Sequence, residues 1–197
     1  MQTPRVRRLL AVLLGFAVLA SAGAAAAGAP RVDFTKLPGL QKGAPPWSNG
    51  SRTLAGRLPY LHLSALSQEQ LAFHIHEHLD LWVNGRKVTV PAEIGLDRFS
   101  FQPFVTELHT HDASGVIHVE SAKRIPYTLG QLFGEWGVRL SARCVGRYCG
   151  SLHWWVNGKP RAGDPANLVL ASHQEIAVAL GRRPARVPRS YAFPLGD

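Results

Sequence analysis

The chain has 197 residues, of which 46% are hydrophobic and 18% are charged. This composition excludes a largely disordered chain, and the length allows one ordinary domain or at most two small ones. Lys and Arg number 22 against 13 Asp and Glu, so the formal net charge at pH 7 is +9 and favours anionic partners.

Residues 1–29 have the layout of a secretory signal peptide, because arginines precede an apolar run that ends in a stretch of alanines. The alternative is an uncleaved membrane anchor, since the apolar run approaches the length that spans a bilayer. We expect cleavage between Ala24 and Ala29, which would remove three arginines and lower the net charge from +9 to +6. The sequence therefore predicts an exported protein, located in the periplasm, in the cell envelope or outside the cell.

Residues 30–66 are rich in Pro, Gly and Ser and show little periodicity, which predicts an extended arm or linker. A single histidine-rich domain is expected over residues 67–181, followed by a basic, Pro-rich tail over residues 182–197. The arginine-rich part of this tail lacks interleaved aromatic residues, so nucleic-acid binding is not expected. We predict a solvated tail that could bind an anionic cell-envelope surface.

The first predicted element of the domain is a β-hairpin centred on Asn84-Gly85. This dipeptide favours a type I′ turn, in which both central residues have positive φ. A turn at these positions pairs Val83 with Arg86 and Leu81 with Val88, and it gives both strands an apolar face.

The opposite face of this hairpin carries polar and aromatic residues: His74, His76, His78, Asp80 and Trp82. Glu77 falls on the apolar face instead. We therefore expect the apolar face to open to solvent, or to a partner, near the start of the first strand.

A second hairpin is predicted where LHTH and VIHVE flank the turn sequence DASG. If the loop has two or four residues, His109 lies directly opposite His118, and His111 shares their face. If the loop has three residues with Gly115 in a bulge, His118 moves to the other face. The sequence leaves both registers open.

Thr128 is predicted to cap a short helix that ends at Gly137 and carries an apolar stripe. The only two cysteines of the chain, Cys144 and Cys149, follow it at a spacing that permits a disulfide. We expect that disulfide in an oxidising compartment. The alternative is a thiolate metal pair with His153 close by.

These elements, completed by a second Asn-Gly hairpin and a strand over residues 175–180, predict an α+β fold of antiparallel β-hairpins with one short helix. The C-terminal two-thirds of the chain is β-grasp-like, because a hairpin from Leu108 onward is followed by one helix and two more strands. A fold of this kind does not by itself indicate a function.

The histidine stripes of the two hairpins predict a transition-metal site. Residues i and i+2 of a strand share a face at roughly 7 Å, so H-x-H lets two imidazoles turn toward one ion. A third ligand from the neighbouring strand completes a three-histidine face with one position open. The predicted ligands are His109, His111 and His118 in one stripe and His74, His76 and His78 in the other. The stripes could form two sites, one common site or a dinuclear pair.

Carboxylates near the histidines are expected to support the site. Asp112 and Glu120 could orient the ring N–H groups, or one of them could ligate directly. Glu77 is the weakest candidate, because a regular strand points it away from its neighbouring histidines. All-nitrogen sites favour zinc, copper, nickel or iron, and copper or zinc is the expected ion here.

Four segments, HIHEHLDLWVNGRKVTVPAEIG, ELHTHDASGVIHVES, YTLGQLFGEWG and WWVNGKP, together resemble a family of uncharacterised exported proteins from bacteria and archaea. The resemblance runs from about Leu61 to Gly181, and HTHDxSGxIHVE is its most specific part. It supports the domain boundaries and implies no activity. The three-histidine pattern alone is also locally similar to the zinc site of the α-type carbonic anhydrases.

Three functions fit these patterns. The first is an exported copper- or zinc-binding protein that acts as a carrier, sensor or buffer, and the lack of an obvious nucleophile–base pair favours it. The second is a metal-dependent hydrolase or hydratase, in which the open position holds a water of lowered pKa. The third is a metal-free interaction module that uses its histidines as a pH switch. An incidental polar face is the remaining alternative.

Overall fold

The computed structural model describes residues 28–194, which form an α+β fold around one mixed β-sheet. Two 3₁₀ turns lie at Ser51–Thr53 and Pro165–Asn167. The other elements, in chain order, are α1 (Leu54–Leu61), β1 (Phe73–Val83), β2 (Arg86–Val88), β3 (Leu96–Asp97), β4 (Phe104–Val105), β5 (Leu108–His109), β6 (Val116–Ser121), α2 (Leu129–Trp136), β7 (Cys144–Val145), β8 (Tyr148–Cys149), β9 (Leu152–Val156), β10 (Lys159–Arg161) and β11 (Glu175–Leu180).

The main sheet has the strand order β10-β9-β11-β1-β6-β5, and β2 also pairs with β1. Strands β1 and β11 are parallel neighbours at its centre, and its other pairs are antiparallel. This order is β-grasp-like, but its first strand is β1 and not the strand at Leu108. That strand, β5, lies at the edge of the sheet, because β2 to β5 are inserted between the first two strands of the β-grasp arrangement.

The predicted register of the first hairpin is present, and the second hairpin has the one of its two open registers that a three-histidine site needs. Asn84 and Gly85 have φ of 53° and 80°, as a type I′ turn requires, and Leu81 pairs with Val88. In the second hairpin His109 pairs with His118, so the alternative register with a three-residue loop is wrong. The disulfide between Cys144 and Cys149 is also present, and it joins β7 to β8.

The two helices cover one face of the sheet and form the core with it. Helix α2 follows the predicted cap, because the Thr128 side chain accepts a hydrogen bond from the Gln131 N–H and the Gln131 side chain accepts one from the Thr128 N–H. It ends at Gly137, where φ is 70°. All eight of its residues are buried.

The prediction of an extended arm over residues 30–66 is wrong, because this segment contains α1 and part of the core. Leu54 and Leu61 have no exposed surface, and the buried Arg57 donates a hydrogen bond of 2.6 Å to the Glu135 carbonyl oxygen on α2. Pro59 lies inside this helix. Proline usually ends a helix, so it hides the apolar spacing of α1 in the sequence.

The tail beyond residue 181 has no regular secondary structure up to residue 194, but it packs against the sheet face opposite the core. Val187 packs with Trp82 and Trp155, and the ring of Tyr191 stacks on His78 with centroids 3.9 Å apart. The prediction of a fully solvated tail is therefore wrong. Its apolar residues are spaced too irregularly for a pattern to indicate their contacts.

The core-facing side of β1 is only partly buried at Phe73 and Ile75, but the predicted opening to solvent or to a partner does not reach Glu77, which is completely buried. Burial raises the pKa of its carboxyl group to about 9, which keeps the group neutral at pH 7. A neutral carboxyl group costs much less to bury than a carboxylate.

Nearly all of the predicted signal peptide lies outside the described residues. Within residues 28–194, no helix combines the length and the apolar character needed to cross a bilayer.

Candidate metal centre

Three adjacent strands, β1, β6 and β5, bring five of the predicted histidines onto the outer face of the sheet. The backbone pairing of His76 with His118, and of His118 with His109, forms a row of three histidines across the strands. His74 pairs with Glu120 beside this row. Side chains two residues apart share a face, so His111 joins the group from beyond His109.

The imidazole rings of this cluster are in contact. The centroid of His118 lies 4.4 Å from that of His76 and 4.4 Å from that of His111. The rings of His74 and His76 are also 4.4 Å apart, and those of His109 and His111 are 4.8 Å apart. His118 on the middle strand is therefore the centre of the cluster.

The nitrogen and oxygen atoms of the cluster form two ligand sets. In the first ligand set, one atom from each of His109, His111, His118 and Glu120 lies within 4.8 Å of every other. The second ligand set, under the same limit, contains His74, His76 and His118. Either set could hold a metal ion.

The carboxylate of Glu120 lies among the ring nitrogens at distances typical of ligands that share an ion. Its Oε1 is 3.6 Å from His118 Nδ1, 3.8 Å from His109 Nε2 and 3.2 Å from His74 Nε2. Ligands about 2.1 Å from a tetrahedral ion are about 3.4 Å from one another. Among the described residues, His109 Nε2, His118 Nδ1 and Glu120 Oε2 are buried without a hydrogen-bond partner.

The hydrogen bonding of His109 prepares it to ligate through Nε2. Its Nδ1 lies 3.1 Å from the Thr106 carbonyl oxygen, which can only accept, so Nδ1 donates and Nε2 carries the lone pair. Burial lowers the pKa of His109 to about 4. Burial, together with the neighbouring histidines, lowers the pKa of His118 to about 3. Both rings are neutral at pH 7, which is the state that binds metal.

Two carboxyl groups lie beside the histidines, the buried Glu120 and the partly exposed Glu69. Burial and the charge of Glu69 raise the pKa of Glu120 to about 7. Glu69 Oε1 lies 3.8 Å from Nε2 of both His109 and His111. Sequence analysis missed Glu69, because it lies in a polar segment without periodicity and reaches the site only through the fold.

His78 does not join the cluster, although it was predicted as a ligand. Its Nδ1 is 2.7 Å from Glu175 Oε2, and its Nε2 is 3.0 Å from the Ser114 carbonyl oxygen. Its partner on β6 is Val116, which offers no ligand atom. His78, Asp80 and Glu175 have possible ligand atoms within 4.8 Å of one another. Both ring nitrogens of His78 are already hydrogen bonded, however, and Lys87 forms an ion pair of 2.6 Å with Asp80.

Asp112 was predicted to support the metal, but it stabilises the turn instead. Its Oδ1 accepts a hydrogen bond of 2.8 Å from the Ser114 N–H, and side-chain and backbone hydrogen bonds to Ser114 lower its pKa. It belongs to neither ligand set. Glu120, the other predicted carboxylate, does belong to one.

The cluster is buried on the sheet side and open to solvent at two of its members. His109 has no exposed surface, whereas the side chains of His74 and His111 are 34% and 42% exposed. Ions and small molecules can therefore reach the cluster without a change of fold.

Comparison of the chain with protein-family models, with curated proteins and with solved structures found no match. The resemblance to a family of exported proteins therefore stays a prediction.

Proposed function

We propose that this chain is an exported transition-metal-binding protein that takes copper or zinc at the first ligand set. The observation that carries this proposal is the convergence of three imidazoles and Glu120 from two strands, with ligand atoms within 4.8 Å of each other. A donor set of three nitrogens and one oxygen suits zinc and copper better than magnesium or calcium.

The surroundings of the first ligand set favour a metal-binding site over a chance approach of polar side chains. The neutral rings of His109 and His118 bring no charge repulsion, and the Thr106 carbonyl fixes the His109 ring in the tautomer that ligates through Nε2. The exposure of His111 allows the ion to exchange, as a carrier, sensor or buffer needs. The disulfide between Cys144 and Cys149 supports export, because such bonds persist in oxidising compartments.

Elemental analysis of the protein isolated from the periplasm or the medium tests this proposal. We expect at least one copper or zinc ion per chain, and the same stoichiometry when metal-free protein is dialysed against micromolar zinc. His118→Asn should lose this ion. His153→Ala, which changes a histidine outside the cluster, should keep it. A wild-type chain that carries no transition metal and takes up none would end the proposal.

Hydrolysis or hydration is a second candidate function, and the position of Glu120 favours it. Its Oε1 lies 3.6 Å from His118 Nδ1 and 3.8 Å from His109 Nε2, so it could accept a proton from a water molecule on an ion that these nitrogens would hold. In this case the three histidines of the first ligand set hold the ion, and Glu120 deprotonates a water molecule instead of ligating. Glu120→Gln should then abolish hydrolysis of 4-nitrophenyl acetate at unchanged metal content, while Asp112→Asn should not. A wild-type protein loaded with zinc that shows no hydrolysis above the Glu120→Gln background would exclude this candidate for that substrate class.

A further inference from the structure

Each outer strand of the cluster contributes an H-x-H pair, and the middle strand lies between the pairs. His74 and His76 belong to β1, whereas His109 and His111 belong to β5 and the residues just after it. His118 lies between the pairs on β6 and contacts a ring from each, at 4.4 Å to His76 and 4.4 Å to His111. His118 therefore has two imidazoles on each side that could ligate a metal ion, in a nearly symmetric arrangement.

We propose that the cluster binds two transition-metal ions, one in the first ligand set and a second in a site formed by His74, His76 and His118. This inference rests on the proposed function, because the two ions share His118. The second site would take the same class of ion, zinc or copper, on three imidazole nitrogens.

The positions of the exposed histidines argue against one ion for the whole cluster. From the central row, His74 lies toward Glu120, whereas His111 follows the other outer strand and lies toward the hairpin loop. Ligands about 2.1 Å from one ion are at most about 4.2 Å apart. Each ligand set nearly meets this limit by itself, and only His118 belongs to both. Five imidazoles and a carboxylate also exceed the four ligands that zinc usually takes in proteins.

His118 has the geometry of a shared ligand. An imidazole has a nitrogen on each of two edges, so one ring can ligate two ions when its N–H proton is released to water. The rings of His76 and His111 are tilted by 88° and 75° to the His118 ring, so the ring has a neighbouring imidazole at a steep angle on either side. Glu120 Oε1 is 3.2 Å from His74 Nε2, so a carboxylate is available to offset the charge of the second ion.

The test counts zinc ions on the full chain after saturation and gel filtration, with the fold of each variant checked by circular dichroism. We expect two ions on the wild-type chain, one on His74→Ala, one on His111→Ala and two on the His153→Ala control. His74 and His111 are partly exposed, so these substitutions leave the core intact. Loading with Cu²⁺ gives a second readout. Two ions that share an imidazole should couple magnetically, so that the wild-type protein shows less paramagnetic resonance signal per copper than either single variant.

The outcomes separate this inference from the proposed function. A wild-type chain that binds neither zinc nor copper overturns both. One zinc on the wild-type chain overturns the second site and leaves the first. Two zinc ions that persist in His74→Ala overturn the assignment of the second site to that histidine pair. Uncoupled copper signals at full intensity overturn the sharing of His118.

Discussion

The carboxyl group of Glu77 lies in the core without exposed surface, and its pKa of about 9 makes the stability of the fold depend on pH. The raised pKa means that the folded state binds more protons than the unfolded state between pH 4.5 and 9. This contribution to stability is complete below pH 4.5 and is lost as the pH rises through 9. The contribution of Glu77 to the free energy of unfolding should therefore fall by about 1.4 kcal/mol per pH unit within this window.

Glu77→Gln should remove this part of the pH dependence. Between pH 6 and 8 the free energy of unfolding should fall by about 2.7 kcal/mol less in the variant than in the wild type, as measured by urea unfolding of the metal-free protein. Glu93→Gln is the control, because Glu93 is partly exposed and paired with Arg98. Equal slopes for Glu77→Gln and the wild type would show that the buried carboxyl group does not hold its proton.

At the scale of elements, local sequence signals predict the turns, the helix ends and the faces of the strands. Asn84-Gly85 indicates the first turn and its register, Thr128 and Gly137 indicate the ends of α2, and strand alternation indicates the face on which the histidines lie. This alternation predicts every histidine of the cluster. It also includes His78, which does not join the cluster. Contacts between distant segments follow from no such signal, so the parallel pairing of β1 with β11 and the approach of Glu69 could not be predicted.

The contact of the tail with β1 is also non-local, and it leads to a prediction at this scale. Tyr191→Ala removes the ring that stacks on His78 and should release the tail, because an aromatic pair of this kind contributes about 1 kcal/mol. Trypsin should then cleave faster after Arg186 and Arg189, which limited proteolysis with mass spectrometry measures. Tyr60→Ala, which removes an exposed tyrosine from α1, should leave tail cleavage unchanged. Equal cleavage rates for Tyr191→Ala and the wild type would show that the stack does not hold the tail.

At the scale of the whole molecule, the proposed ions bind across strands that are far apart in sequence. The cluster joins β1 near residue 74 to β5 and β6 near residues 109 and 118, so an ion held there binds the folded chain and not the unfolded one. Binding of this kind stabilises the folded state by about 2.7 kcal/mol at a free metal concentration of one hundred times Kd.

Zinc should therefore raise the midpoint of guanidinium unfolding, and a chelator should reverse the shift. His118→Asn should abolish the shift because it removes the shared ligand, whereas His153→Ala should retain it. A zinc-induced shift of equal size in His118→Asn would mean that the stabilising ion binds outside the cluster.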